Sequence, residues 1–195
     1  FQNIKLIHTK PALYYWEDID DYFGPRVCDY KNFFEKPKLR NSKNSLFMAL
    51  AGLKDRTNLP MIYTSGIVKN ELINRIKRKS NNLFFQSVIP DYYSMVALLY
   101  EEHQYLDVSE PLFWVGSSKQ SAGRGTRIYE DNKNQNFKFI NKNLDISDKV
   151  SSKLHKIGLS SIYFYECILK HPYISRKWKN NFKKYLVYAS AKINF

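Results

Sequence analysis

The chain predicts an α/β fold: a mixed sheet with flanking helices, followed by a basic helical carboxyl-terminal tail. Three observations carry this. Short apolar runs of strand length stand at residues 4–8, 83–88 and 112–115. Between them, apolar residues recur at helical spacing. Two further helical patterns, at 150–170 and 175–191, are rich in lysine.

Taken in order, Ile4-Lys5-Leu6-Ile7-His8 opens the chain as a strand. Tyr14-Tyr15-Trp16 and an acidic cluster, Glu17-Asp18-Ile19-Asp20-Asp21, follow. Residues 26–60 are mixed, with one short helix expected around 45–53, after polar Asn44 and Ser45. From Gly66, the spacing of Val68, Leu72, Ile73 and Ile76 makes one helical face, with Lys69, Asn70, Arg75, Lys77 and Arg78 outside it. Asn81-Asn82 ends that helix. Residues 83–88 read as a strand that Pro90 punctuates, since proline brings no amide to a ladder. The clearest helix runs over 91–104, on Tyr92, Val96, Leu99 and His103 with Met95 beside them. Pro111 precedes a compact strand expected to be buried, Leu112-Phe113-Trp114-Val115. Residues 116–127 suit no regular element, and 130–149, rich in Asn and Lys, read as a connector. His171-Pro172 separates the last two helices, the second of which interleaves Trp178, Phe182, Tyr185, Leu186 and Tyr188 with lysines.

Composition narrows the classes. A chain of 195 residues can bury one good core, and a hydrophobic fraction of 44% with 16% aromatics excludes a disordered one. No apolar run reaches the roughly 18 residues of a membrane span. Cys28 and Cys167 stand far apart without metal-ligand spacing, so both are expected as free thiols. The net charge of +13 points to a negative partner or surface: nucleic acid, anionic lipid or a phosphorylated substrate. It is uneven, because after Val150 nine basic residues face one carboxylate, Glu166. The chain opens on Phe1 and not on methionine, which suggests a piece of something longer.

Chemistry concentrates between Asn81 and Gly125. Asp91 follows a proline at the mouth of a helix, where a carboxylate can cap the first free amides or serve as a general base. The loop from Gly116 to Gly125 combines glycines, which allow close backbone approach, with serine hydroxyls that can hold sugar or phosphate oxygens. It lacks the Gly-Lys-Ser/Thr ending of a Walker loop. Asp18-Ile19-Asp20 has the form of a metal-binding pair but reads as loop acids. The four histidines do not cluster in sequence, and no Ser/His/Asp order stands out.

Phe84, Pro90-Asp91-x-Tyr93, Pro111-Leu112 and Gly116-x-Ser118-x-x-Ser121-x-Gly123 occur in this order. The set resembles the second half of family 2 glycosyltransferases of the GT-A fold, of the bacterial surface-polysaccharide type. The resemblance spans roughly residues 14–123 and implies a partial GT-A-like sheet. It implies Asp91 as the base of an inverting sugar transfer from a nucleotide-sugar donor to a glycan or lipid-linked acceptor. Tyr93, Trp114, Gly116, Ser118, Ser121 and Gly123 would line the substrate surface. The family's amino-terminal nucleotide-binding half has no counterpart here, so the implied Mn²⁺ or Mg²⁺ would find its ligands outside this chain, and the piece alone would be inactive. The corresponding organisation is 1–129 as the acceptor-side part, 130–149 as connector and 150–195 as a basic helical extension. Such an enzyme is expected in the cytoplasm, with its basic helices against the anionic inner face of the membrane. The alternatives are a basic nucleic-acid-binding module, which no recognisable motif supports, and a non-catalytic interaction module.

Overall fold

The computed structural model describes residues 3–16, 35–50, 53–87, 90–118, 164, 167–177 and 179–180. In chain order these form β1 (Leu6–Thr9), β2 (Ala12–Tyr15), β3 (Lys38–Asn41), α1 (Ser42–Leu50), β4 (Gly66–Val68), α2 (Asn70–Lys79), α3 (Pro90–Glu101), β5 (Gln104–Val108) and β6 (Trp114–Ser117). The fold is mixed α/β, with a mixed sheet and flanking helices. Four strands pair in the order β3-β5-β1-β4 and two more as β2-β6. β1 and β5 run parallel, and β3 and β4 close the two sides antiparallel.

The two sheets continue one another. His8 lies opposite Asp107 and Thr9 opposite Val108; after a break, Ala12 lies opposite Trp114 and Tyr14 opposite Gly116. Lys10-Pro11 makes the break on one side, since proline gives the ladder no amide. Thr9 bridges it: its hydroxyl donates to the Glu110 carbonyl and accepts the Leu112 amide at 3.2 Å, while the Ala12 amide reaches the Phe113 carbonyl at 2.7 Å.

Helix α1 begins earlier than the sequence suggests, because Asn41 is its cap: the Asn44 amide donates to Asn41 Oδ1 at 2.9 Å. Helix α2 buries Leu72 and Ile76 as its spacing predicts, but it starts only at Asn70, and Gly66–Val68, expected in its first turn, form β4. Arg75 and Lys79 then tie it to Glu101 and Glu102 at the end of α3. It stops at Ser80, whose hydroxyl donates to the Ile76 carbonyl at 2.7 Å. Asn81 and Asn82 follow with φ of 52° and 62°, a left-handed region that asparagine tolerates better than most residues.

Several expected elements differ. Residues 83–87 hold no strand; instead Phe84 and Phe85 pack edge to face, and Phe85 stacks on Tyr63. Helix α3 starts at Pro90 and not at Asp91, proline taking the first helical position where its missing amide costs nothing. It stops at Glu101, short of the expected end at residue 104, and Gln104 opens the interior strand β5, Gln104–Val108, which no sequence pattern announces. The strand expected at 112–115 is Trp114–Ser117, and it is not buried, since Trp114 is 71% exposed.

The core lies on the helical side of the large sheet. Leu6 and Tyr105 meet Leu46 of α1, Leu72 and Ile76 of α2, and Tyr93 to Leu99 of α3, except the polar Ser94. From Tyr93 to Leu99 every α3 residue is buried, so this helix runs through the core and does not lie across its surface. Phe164, Cys167, Ile168 and Ile174 pack into the same cluster, so this stretch of the expected carboxyl-terminal extension is part of the core. Cys167 is a buried free thiol.

Candidate functional site

The parallel pair β1–β5 decides where chemistry can sit. Open α/β sheets bind ligands beyond the carboxyl ends of their parallel strands, where connections diverge and side chains from several elements converge. Here that end carries three features.

The first is Asp91. Helix α3 returns to β5 through only Glu102 and His103. Twelve helical residues rise about 18 Å, against about 17 Å for five strand residues. With so short a return, a helix of this length can reach back over β5 toward the strand's carboxyl end. Asp91 is half-buried in the first helical turn, and among the described residues its carboxylate has no hydrogen bond or ion pair. Only its carbonyl is engaged, by the Ser94 hydroxyl at 2.8 Å. Burial pushes the carboxyl above its ordinary value. Asp91 is thus the second residue of the helix and not its cap, so the expected capping role does not hold.

The second is an aromatic platform on β2 and β6. Paired residues of parallel strands share a face, so Ala12, Tyr14, Trp114 and Gly116 lie together. Tyr14, Trp16 and Trp114 are all exposed, and Tyr14 meets the Trp16 ring edge to face at 5.4 Å. Trp16 reaches over Gly116: a Cβ there would stand 3.2 Å from its Nε1, so the glycine leaves room for the indole. Exposed aromatic rings offer flat apolar faces on which another ring can stack.

The third, which no local pattern of residues announces, is a cationic cleft of about 230 Å³. Its floor is one row of the sheet: His8 of β1 opposite Asp107 of β5, and Asp107 opposite Lys38 of β3. His8, 1% exposed, donates from Nδ1 to Asp107 Oδ1 at 2.8 Å, and Arg40 Nε donates to Asp107 Oδ2 at 3.0 Å. Burial alone would raise the Asp107 carboxyl; the bonds and charges of His8 and Arg40 outweigh it and hold the group below its ordinary value. His8 and Asp107 stand 99 positions apart, which is why their pairing is invisible without the register.

No family model, curated protein or solved structure matches the chain.

The remaining expected site residues divide. Tyr93 has 0% exposure, and its ring stacks on His171 at 3.8 Å between centroids. A sugar ring cannot reach it, which corrects its expected place on the substrate surface. Trp114 and Gly116 share the platform face. Ser118 follows β6 and is half-buried, while Ser121 and Gly123 lie outside the described residues, as do Asp18 and Asp20. Among the described residues no three His, Cys, Asp or Glu side chains form a group able to hold a metal ion. None of the helices among them is long and apolar enough to cross a membrane.

Proposed function

We propose that this chain is the acceptor-side part of a GT-A-type glycosyltransferase of family 2, and that Asp91 is the general base. The observation that carries the reading is the state of Asp91. It is a half-buried carboxyl with no partner for its oxygens among the described residues, in the first turn of the helix that returns to the parallel strand β5. Protein interiors normally bond such a group. A base for an acceptor hydroxyl needs free oxygens and a proton affinity above that of an exposed carboxylate.

In the reaction the acceptor hydroxyl oxygen attacks the anomeric carbon of a nucleotide sugar. The bond from that carbon to the diphosphate breaks, the configuration inverts, and the hydroxyl proton passes to Asp91. The platform of Tyr14, Trp16 and Trp114 would stack the sugar rings of the acceptor, so that Trp114 and Gly116 keep their substrate-side roles. Mn²⁺ or Mg²⁺, where such an enzyme uses one, would help the diphosphate depart. Among the described residues no three His, Cys, Asp or Glu side chains form a ligand group for it, and on this reading its ligands lie outside the chain. A cytoplasmic site, with the lysine-rich carboxyl-terminal sequence on the anionic face of the membrane, would suit a lipid-linked acceptor.

The test is transfer of labelled sugar from a panel of nucleotide sugars by the complete gene product that contains this chain. Loss of a general base slows a reaction roughly 10²- to 10⁴-fold. Asp91→Asn should lower kcat by that much with little change in acceptor KM. Unchanged turnover in the variant would remove Asp91 from the chemistry.

A further inference from the structure

We infer that the cleft floored by His8, Asp107 and Arg40 is a binding site for a small phosphorylated ligand: inorganic phosphate or the phosphate group of a sugar phosphate. The inference does not depend on sugar transfer. It starts from charge. Five cations line the cleft, Lys10, Lys36, Lys38, Arg40 and Lys54, against two carboxylates, Glu35 and Asp107. Both carboxylates are already engaged. Glu35 accepts from Lys38 Nζ at 2.6 Å, and Asp107 is shared between Arg40 and His8.

Three ammonium groups are left over. Lys54 meets only the neutral Tyr105, donating to its hydroxyl at 2.8 Å with its ammonium over the ring. Lys10 and Lys36 make no hydrogen bond or ion pair among the described residues, and Lys10 acts only through space on Glu35, which Lys38 already holds. Like charges gathered in one concavity raise each other's energy, and the low-dielectric walls concentrate their field. An anion of two charges relieves this, and phosphate suits lysine point charges beside an arginine fork.

Order in the floor strengthens the case. Asp107 holds the Arg40 guanidinium through Nε alone, so the two terminal nitrogens have no bond among the described residues. His8, almost wholly buried, has Nε2 without a partner, and the row it belongs to is fixed on three strands by the ladder. Asp107, fixed between His8 and Arg40, therefore holds the free end of the guanidinium fork in place, so it needs little ordering when a ligand arrives. Size sets the ligand class. At about 230 Å³ the cleft is smaller than the roughly 300–1,000 Å³ that encloses drug-sized ligands. Phosphate or a hexose phosphate fits it, whereas a whole nucleotide sugar does not.

The test is titration of the full chain with inorganic phosphate, then with glucose 6-phosphate and with glucose, followed by amide NMR shifts at constant ionic strength. Saturable shifts are expected around β1, β3 and β5 with both phosphates and none with glucose. The double variant Lys10→Gln, Lys36→Gln, both exposed and outside the core, should bind at least about tenfold more weakly with an unchanged melting temperature. Arg40→Gln should weaken binding further, and its circular dichroism would report whether the floor survives. No saturation by about 20 mM phosphate, equal shifts with sodium chloride, or full affinity in the double variant would each overturn the site. Binding of an oligonucleotide without binding of either phosphate would overturn it in favour of a nucleic-acid surface. None of these readouts involves sugar transfer, so an inactive Asp91 and an empty cleft can be told apart.

Discussion

Tyr93→Phe separates a core tyrosine from a sugar-binding one. The ring of Tyr93 is fully buried, stacks on His171, and carries a hydroxyl that is buried with no partner. Burial also pushes the phenol up, so it stays protonated throughout the neutral range. A buried hydroxyl left without a hydrogen bond costs about 1–3 kcal/mol. Phenylalanine keeps the ring and its stacking and deletes that cost. The variant should therefore be as stable as the parent or more stable, by about 1 kcal/mol, which for a chain of this size raises Tm by roughly 2–4 °C. Tyr93→Ala, by contrast, should lose about 3–5 kcal/mol, as large aromatic truncations in cores do. Urea unfolding of the three proteins, followed by tryptophan fluorescence, measures both differences. A loss above about 1 kcal/mol in the phenylalanine variant would mean that the hydroxyl is bonded. A variant that folds normally but loses glycan binding would return Tyr93 to the substrate surface and refute its assignment to the core.

Two further outcomes follow from buried groups and close contacts. Burial lowers the His171 imidazole from 6.5 to about 3, although its bond from Nε2 to the Tyr93 carbonyl at 3.0 Å opposes this. Below pH 6.5 the unfolded chain takes up a proton that the fold refuses, so stability falls as pH falls, by up to about 1.4 kcal/mol per unit. Urea midpoints between pH 6.5 and 5 should show this slope, and His171→Phe should flatten it; an equal slope in the variant would assign the loss to other groups. At Gly66 an added Cβ would stand 3.0 Å from the Met61 carbonyl oxygen, in a turn locked by the Ser65 amide to that same carbonyl and by Ser65 Oγ to the Leu59 carbonyl. The obstacle is backbone, so Gly66→Ala should cost about 1–3 kcal/mol in the same assay, and a neutral result would show that the turn can yield.

What the sequence reveals here tracks the physical origin of each element. Strand β1 was legible as a short apolar run, and helix α2 because one face is apolar, Leu72 and Ile76 falling on the buried side as their spacing requires. Strand β3 was not, since Lys38–Asn41 is exposed throughout and is an edge strand that lysine and arginine keep from pairing further. Strand β5 was not legible, because an interior strand buried on both faces has no alternation: Tyr105 and Leu106 are adjacent and both buried. The aromatic run at 14–16 and Trp114 were visible as residues, but their common face depends on the β2–β6 register, which no local pattern encodes. The same holds for the cleft, whose floor joins residues 8, 107 and 38–40 through three strands.

Asp91 and Asp107 show how one fold treats two carboxyls at the same end of its sheet. Asp107 is satisfied on both oxygens and is held low, so it adds stability above the pKa of an exposed aspartate and loses it as acid protonates it. Asp91 has the opposite sign. Its folded carboxyl is raised, so the native state holds the proton more tightly than the unfolded chain does. Stability then falls as pH rises through that window, and the cost is fully present at neutral pH. The first helical turn should favour a negative charge by about 0.3–1 kcal/mol, yet burial without bonded partners acts against it. Asp91→Asn should therefore leave the fold unchanged or more stable at pH 7, with the difference vanishing below about pH 4. A stabilising variant that no longer transfers sugar would identify a carboxyl kept for chemistry at the expense of the fold. A variant destabilised by the amount of the helix-dipole term would instead make Asp91 a helix-start residue, and the proposed base would have to be sought elsewhere.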